Sequence, residues 1–375
     1  MQFPLCEYEN RLVRLRNEMR LRDLDAVLLD DSEAIAYFFG FDTSLSYYRA
    51  GVITASGEAF FVLRSLDGGP MKERTWTTDV VGYADWEDAV GVLVAKIKSA
   101  GLAKARLGVD FASHAMTVQT YHRLKQALPA AVLSDLNGLP WLMRLIKSSA
   151  EVEKIRKASA IGDATISEIV AKTRTGMTER DLARLAGEVY VREGGDPGHP
   201  GIFGTRKNSD LDFLHGHLHD TGFGLREVLH LEINPRFEGY GARMMRTLSL
   251  GEPPKDLNQI ICRMVELQDR QMMAMKPGAL ASDVDRIARD GAINAGLRKD
   301  YTNVTGYTMG YYPDYMVRAS DFTRVFLPTS NWLLEEGMVF HLYMSAAGVG
   351  ISETVLVAND GCEHLTKTER ILLRT

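Results

Sequence analysis

Residues 230–250 read HLEINPRFEGYGARMMRTLSL, and their pattern decides the fold. The apolar run Val228-Leu229-His230-Leu231 delivers Glu232 onto a strand. Pro235 and Gly239-Tyr240 mark a turn, and a second strand-like run passes through Arg243 and Arg246 to Leu250. The segment predicts a hairpin that carries a carboxylate into apolar surroundings. A buried carboxylate is costly unless paired, and Arg243 and Arg246 both offer a partner across the hairpin.

Upstream of this hairpin the chain alternates helix-like and strand-like stretches. Leu12, Leu15 and Met19 recur at helical spacing between Tyr8 and Leu24. Ala26–Leu29 reads as a buried strand, Ala34–Phe39 as a short helix, and Gly51–Thr54 with Ala59–Leu63 as an antiparallel pair turning at Ser56-Gly57. A helix over Glu87–Ala103, a strand over Leu107–Asp110, a helix over Met116–Leu128 and a strand over Ala131–Leu133 complete an α/β first domain. The stretch DLNGLPWL at 135–142 has the Gly and Pro of a linker, so the expected domains are 1–138 and 139–375. Beyond it, Met143–Glu151 opens a long helix, and Thr178-Glu-Arg-Asp181 is a capping-box pattern before a helix to Val191. Asp256–Met275 and Ala281–Ala295 are two amphipathic helices, and the last third is strand-rich.

Composition sets outer bounds. The 375 residues are 45% hydrophobic and 25% charged, enough for two separate cores. A net charge of −5 without a basic block argues against a nucleic-acid partner. No run reaches the roughly 18 apolar residues of a membrane span. The first stretch, MQFPLCEYENRLVRLRNEMRLRDLD, lacks the apolar centre of a secretory signal, so a cytoplasmic protein is expected. Cys6, Cys262 and Cys362 stand far apart without a CxxC pair, which predicts neither a disulfide framework nor a zinc site.

The hairpin resembles that of the creatinase/prolidase/methionine aminopeptidase superfamily, written D-x-G-x(4)-G-Y-x-x-D-x-T-R. Arg144–Glu151 matches the R-x-x-K-S-x-x-E opening of that superfamily's second domain, and Glu336-Gly-Met-Val-Phe340 and Glu353–Gly361 repeat further phrases of it. The resemblance implies an α/β two-domain chain, with a creatinase-like N-terminal domain and a C-terminal pita-bread domain of α+β, aminopeptidase type. It also implies a homodimer. Five residues hold two metals in the superfamily's peptidases. The resemblance sets Glu232 at the first aspartate, Arg243 at the second, Tyr307 of Gly306-Tyr-Thr-Met-Gly310 at the histidine, Tyr343 at the first glutamate and Glu353 at the last. Arginine has no lone pair to offer a metal, and hard divalent cations want several oxygen donors, so neither metal nor other cofactor is expected.

The superfamily's metal-free branch, the creatinase and ectoine hydrolase families, supplies the functional expectation. In the ectoine hydrolase family the hairpin begins M-E-I, where this chain has Leu231-Glu-Ile233, and the tyrosine phrase reads G-Y-S-I-G. Its nucleophilic glutamate falls on Glu232, and its general-base histidine falls on His215, with His217 two residues on as the alternative. Glu353 is the expected second acid. Tyr307, Tyr343 and Arg243 are expected to line the pocket, and Arg318 and Arg324 to meet a substrate carboxylate. Tyr48 and Arg64 lie where relatives send a loop into a neighbouring subunit's pocket, or are ordinary surface residues. The reaction implied is metal-independent hydrolysis of a non-peptide C–N bond in a small zwitterion, a cyclic amidine ahead of a creatine-like one. Two rivals stand beside it: an Xaa-Pro peptidase with a rearranged metal site built from His215, His217, His219 and Glu353, and an inactive pita-bread binding module.

Overall fold

The computed structural model describes residues 1–206, 218–315 and 320–375. Its contacts divide the chain into two units, Met1–Arg144 with Tyr311–Ala319, and Leu145–Gly310 with Ser320–Thr375. The break expected at Gly138 lies inside the first unit. Residues 139–142 form a short helix there with buried Leu139 and Trp141, where a linker would be exposed.

In the first unit, α1 (Leu5–Leu21) buries Tyr8, Leu15 and Met19 along one stripe. There follow β1 (Ala26–Leu29), α2 (Ser32–Phe39), β2 (Ala50–Thr54), β3 (Ala59–Arg64), α3 (Gly68–Arg74) and β4 (Val80–Tyr83). The unit is completed by α4 (Ala89–Ser99), β5 (Arg106–Val109), α5 (Val118–Ala127), β6 (Val132–Asp135) and α6 (Leu139–Leu142). The six strands form one mixed sheet in the order β4-β3-β2-β1-β5-β6. The β1–β2–β3 steps are antiparallel, as the turn at Ser56-Gly57 requires, and the β5–β6 step is parallel. Sequence pattern missed α3 and β4, which are short and carry few buried residues.

The second unit opens on α7 (Ser149–Lys172) and α8 (Glu179–Arg192). Both start from capping boxes, Ser148 with Glu151 and Thr178 with Asp181, which satisfy amides that the first helical turn leaves free. The strands β7 (Gly201–Thr205), β8 (Val228–Ile233), β9 (Arg236–Phe237), β10 (Tyr240–Gly241) and β11 (Met244–Ser249) come next. Then follow α9 (Leu257–Ala274), α10 (Ala281–Asn294), β12 (Gly306–Thr308), β13 (Val339–Ala346), β14 (Val349–Ala358), β15 (Gly361–His364) and β16 (Leu372–Arg374). Eight of these strands make one sheet whose main path runs β12-β13-β14-β11-β8-β7.

The β8–β11 hairpin lies inside that path. Its tip is the small ribbon β9–β10, turned by Glu238 and Gly239 at φ 49° and 78°. Two successive left-handed residues give the tight turn that matches strand twist, and glycine at the second lowers its cost. The Asp196 carboxylate accepts from both turn amides, at 3.0 and 2.6 Å.

Candidate active site

All six residues of β8 are buried, so the strand has no wet side. Leu229, Leu231 and Ile233 pack with Ile161, Ile166 and Leu182 of α7 and α8. Side chains alternate along a strand, so His230 and Glu232 project from the opposite face. Cross-strand register extends that face. Glu232 lies opposite Met245, Met245 opposite Ser352, and Ser352 opposite Tyr343. One step along, His341 lies opposite both Thr354 and Tyr307.

Glu232 is 3% exposed and pairs with Arg243, whose Nε stands 2.9 Å from its Oε1. The same guanidinium donates to Asn234 Oδ1 at 2.6 Å, to Ser320 Oγ at 3.1 Å and to the Tyr307 hydroxyl. His230 Nε2 lies 3.7 Å from the second carboxylate oxygen. Burial by itself pushes the Glu232 carboxyl up, but the Arg243 guanidinium and His230 outweigh it and hold the group down at about 2. Glu232 is therefore ionised across the physiological range.

Three aromatic rings frame this carboxylate. Tyr343 stacks on His341 with centroids 5.4 Å apart and planes 15° from parallel, and Tyr307 meets the imidazole edge-on at 5.0 Å. Asn303 Nδ2 holds the Tyr343 hydroxyl at 2.9 Å. Burial, helped by Arg243, depresses His341 to about 3, so its ring stays neutral near pH 7. Burial pushes the Tyr343 hydroxyl up to about 12. Every one of these groups is held in a single protonation state near neutrality.

Glu353 does not join this face. It lies opposite Leu342 and shares its side of β14 with buried Val355 and Val357. There it pairs with Arg246 at 2.6 Å and accepts from Thr366 Oγ1. Arg246 is fully buried and also donates to the carbonyls of Met245 and Ser352, both at 2.8 Å, and of Glu369 at 3.0 Å. The expectation that Glu353 is the second acid beside Glu232 is thus corrected by strand alternation: Ser352, one residue earlier, occupies that place. The choice of hairpin partner follows from the same register, with Arg243 on the Glu232 face and Arg246 on the other.

Among the remaining expectations, Tyr307, Tyr343 and Arg243 stand around Glu232. His215, His217 and Arg318 lie outside the described residues. The Arg324 guanidinium donates to the Thr323 carbonyl and lies 6.0 Å over Trp332, on the Phe340 side of β13, so it is not brought to Glu232. His219 is bound to Glu179 at 2.8 Å. In the first unit, Tyr48 donates to Asp30 at 3.1 Å, and Arg64 is clamped by Asp85 over the Tyr47 ring. Sequence reasoning passed over His341, Ser352 and Asn303. The first was within reach, since Phe340-His-Leu-Tyr343 places His341 and Tyr343 on one side of a strand.

The model of metallopeptidase family M24 matches residues 153–359, and that of the creatinase/prolidase N-terminal domain matches residues 11–146. An uncharacterized hydrolase/peptidase of Sinorhizobium fredii is 27% identical, over 99% of this chain and 97% of its own. The ectoine hydrolase of Halomonas elongata is 25% identical, over 99% of this chain and 98% of its own. Among solved structures, the prolidase of Thermococcus sibiricus superposes with a TM-score of 0.85 at 20% identity, covering 98% of this chain and 99% of that one. The two-domain architecture of a creatinase-type N-terminal domain and a pita-bread domain is the one seen here. The described residues do not fit the two metals that such a fold carries in peptidases. The guanidinium of Arg243 lies against Glu232, Met245, Ser352 and Tyr343 follow it across the face, and among the described residues no group of three or more His, Cys, Asp or Glu could hold a metal ion.

Proposed function

Because this chain belongs to metallopeptidase family M24, with a creatinase/prolidase N-terminal domain, we propose that it is a hydrolase of that family whose chemistry runs without metal, on a non-peptide C–N bond of a small zwitterion. The observation that carries the reading is the Glu232–Arg243 pair on the face where peptidases of this fold hold metals. A carboxylate and a guanidinium side by side match the two charges of a zwitterion. The likeness to an ectoine hydrolase over the whole chain supports a cyclic amidine, with a creatine-like amidine next.

In this reading the substrate's carboxylate meets Arg243, and its cationic amidine is drawn toward Glu232. The ionised Glu232 attacks the amidine carbon, the C–N bond breaks toward an amine that takes up a proton, and water then releases the adduct. The net change is addition of one water and cleavage of the amidine into an amide and an amine. The proton donor and acceptor are assigned to His215, or to His217, as the likeness implies, since burial holds His341 neutral down to about 3.

The test is turnover of ectoine, creatine and related zwitterions by the wild type and by Glu232→Gln, with and without chelator. Turnover that survives chelator and disappears in Glu232→Gln supports the reading; undiminished catalysis by Glu232→Gln refutes the nucleophile. A second reading is favoured by one observation: Glu232, His341 and Tyr343 are all held far from neutral titration, as suits a binding site with no catalysis. It predicts ligand-induced stabilisation without turnover.

A further inference from the structure

His341 is fully buried, yet among the described residues neither ring nitrogen has a hydrogen-bond partner. The hydroxyl of Ser352, also fully buried and on the same face, has none either. Buried polar atoms are almost always paired, and an unmade hydrogen bond there is a standing cost to the fold. Moreover, the imidazole is well oriented, with Tyr343 parallel at 5.4 Å and Tyr307 edge-on at 5.0 Å. A ring fixed by its faces and left open at its nitrogens is arranged for an occupant that supplies the missing partners.

Resting on the function proposed above, we propose that His341, with Ser352, selects the substrate by hydrogen-bonding the amidine or amide group of a small zwitterion whose charges are met by Glu232 and Arg243. A neutral imidazole has one donor and one acceptor, and the serine hydroxyl offers both. One imidazole nitrogen accepts from a substrate N–H, the other donates to a substrate oxygen, and Ser352 takes a second N–H. A zwitterion with the same charges but without N–H leaves these atoms unsatisfied and is rejected. A site built to hydrogen-bond a group discriminates strongly against analogues that lack it.

The experiment is calorimetric titration of the full chain with ectoine, creatine and glycine betaine, with thermal melting alongside, for the wild type, His341→Phe and His341→Asn. Phenylalanine keeps the stacked ring and removes both nitrogens; asparagine restores a donor and an acceptor. The expected result is a melting temperature for His341→Phe equal to or above wild type, at least ~tenfold weaker binding of whichever amidine the wild type prefers, and partial recovery in His341→Asn. Glycine betaine should bind weakly and alike to all three. Unchanged amidine affinity in His341→Phe overturns the inference, as does a melting temperature several degrees lower, which would assign His341 a structural hydrogen bond. If the wild type binds neither ectoine nor creatine, the substrate class proposed above fails, and this inference falls with it. A binding wild type with an unaffected variant defeats the inference alone.

Discussion

The sheet of the second unit carries a buried glutamate–arginine pair on each face, and the two pairs are built to opposite ends. On the helix-covered face, Arg246 donates to main-chain carbonyls as well as to Glu353, which also accepts from Thr366. On the other face, the Arg243 guanidinium donates to the side chains of Asn234, Ser320 and Tyr307, and His341 nearby has no partner at either ring nitrogen among the described residues. The chemistry of the charges is the same in both. The two pairs differ in that main-chain carbonyls bind the Arg246 guanidinium where side chains bind that of Arg243, and a buried pair whose surroundings are all satisfied is the more rigid.

The largest expected difference between the pairs is in turnover. Glu232→Gln should lower kcat by at least about a thousandfold, roughly 4 kcal/mol in the barrier, in protein whose circular dichroism is unchanged. Glu353→Gln, if it folds, should leave far more of the activity. Stability should respond the other way. Arg246→Met leaves Glu353 buried with Thr366 and the more distant Arg370, at 3.8 Å, and should cost about 3 kcal/mol in urea unfolding, more than Glu232→Gln does. A reversed order would break the comparison.

Acid sharpens it further. Glu232 has its carboxyl lowered from 4.5 to about 2, so its stabilising contribution is full above 4.5 and is lost as pH falls toward 2. His341, lowered from 6.5 to about 3, likewise stabilises above 6.5 and loses that contribution on the way to 3. Together they predict an acid limb beginning below pH 6.5, with on the order of 3 kcal/mol lost from Glu232 alone. His341→Phe should remove the upper part of that limb in pH-dependent unfolding. The smallest effect expected is that of Tyr343→Phe, which keeps the stacked ring and gives up the Asn303 bond, about 1 kcal/mol.

The sheet-and-helix order was legible because the elements announce themselves locally: apolar runs for β1 and β8, a capping box for α8, glycine at the hairpin tip. The Glu232 position was legible for the same reason, as a carboxylate in an apolar strand. Glu353 was misplaced because a one-residue slip in a strand exchanges faces, and nothing within Ser-Glu-Thr fixes which of the three faces Glu232. The apolar neighbours Val355 and Val357 held that signal. His341 was passed over although it alternates onto the side of Tyr343, and Ser352 because a single serine in a strand carries no signal until the strands are in register. Asn303 and Ser320 come from loops, where no periodicity points to them.

The account's central claim is that the Glu232–Arg243 pair stands where peptidases of this fold hold metals. Elemental mass spectrometry of the folded protein, purified without chelator or added metal, tests it most directly. The account predicts far less than one transition-metal ion per chain, in protein that keeps its activity. About one or two tightly held ions per chain, with activity lost on their removal, would contradict it and make Xaa-Pro dipeptides the substrates to assay.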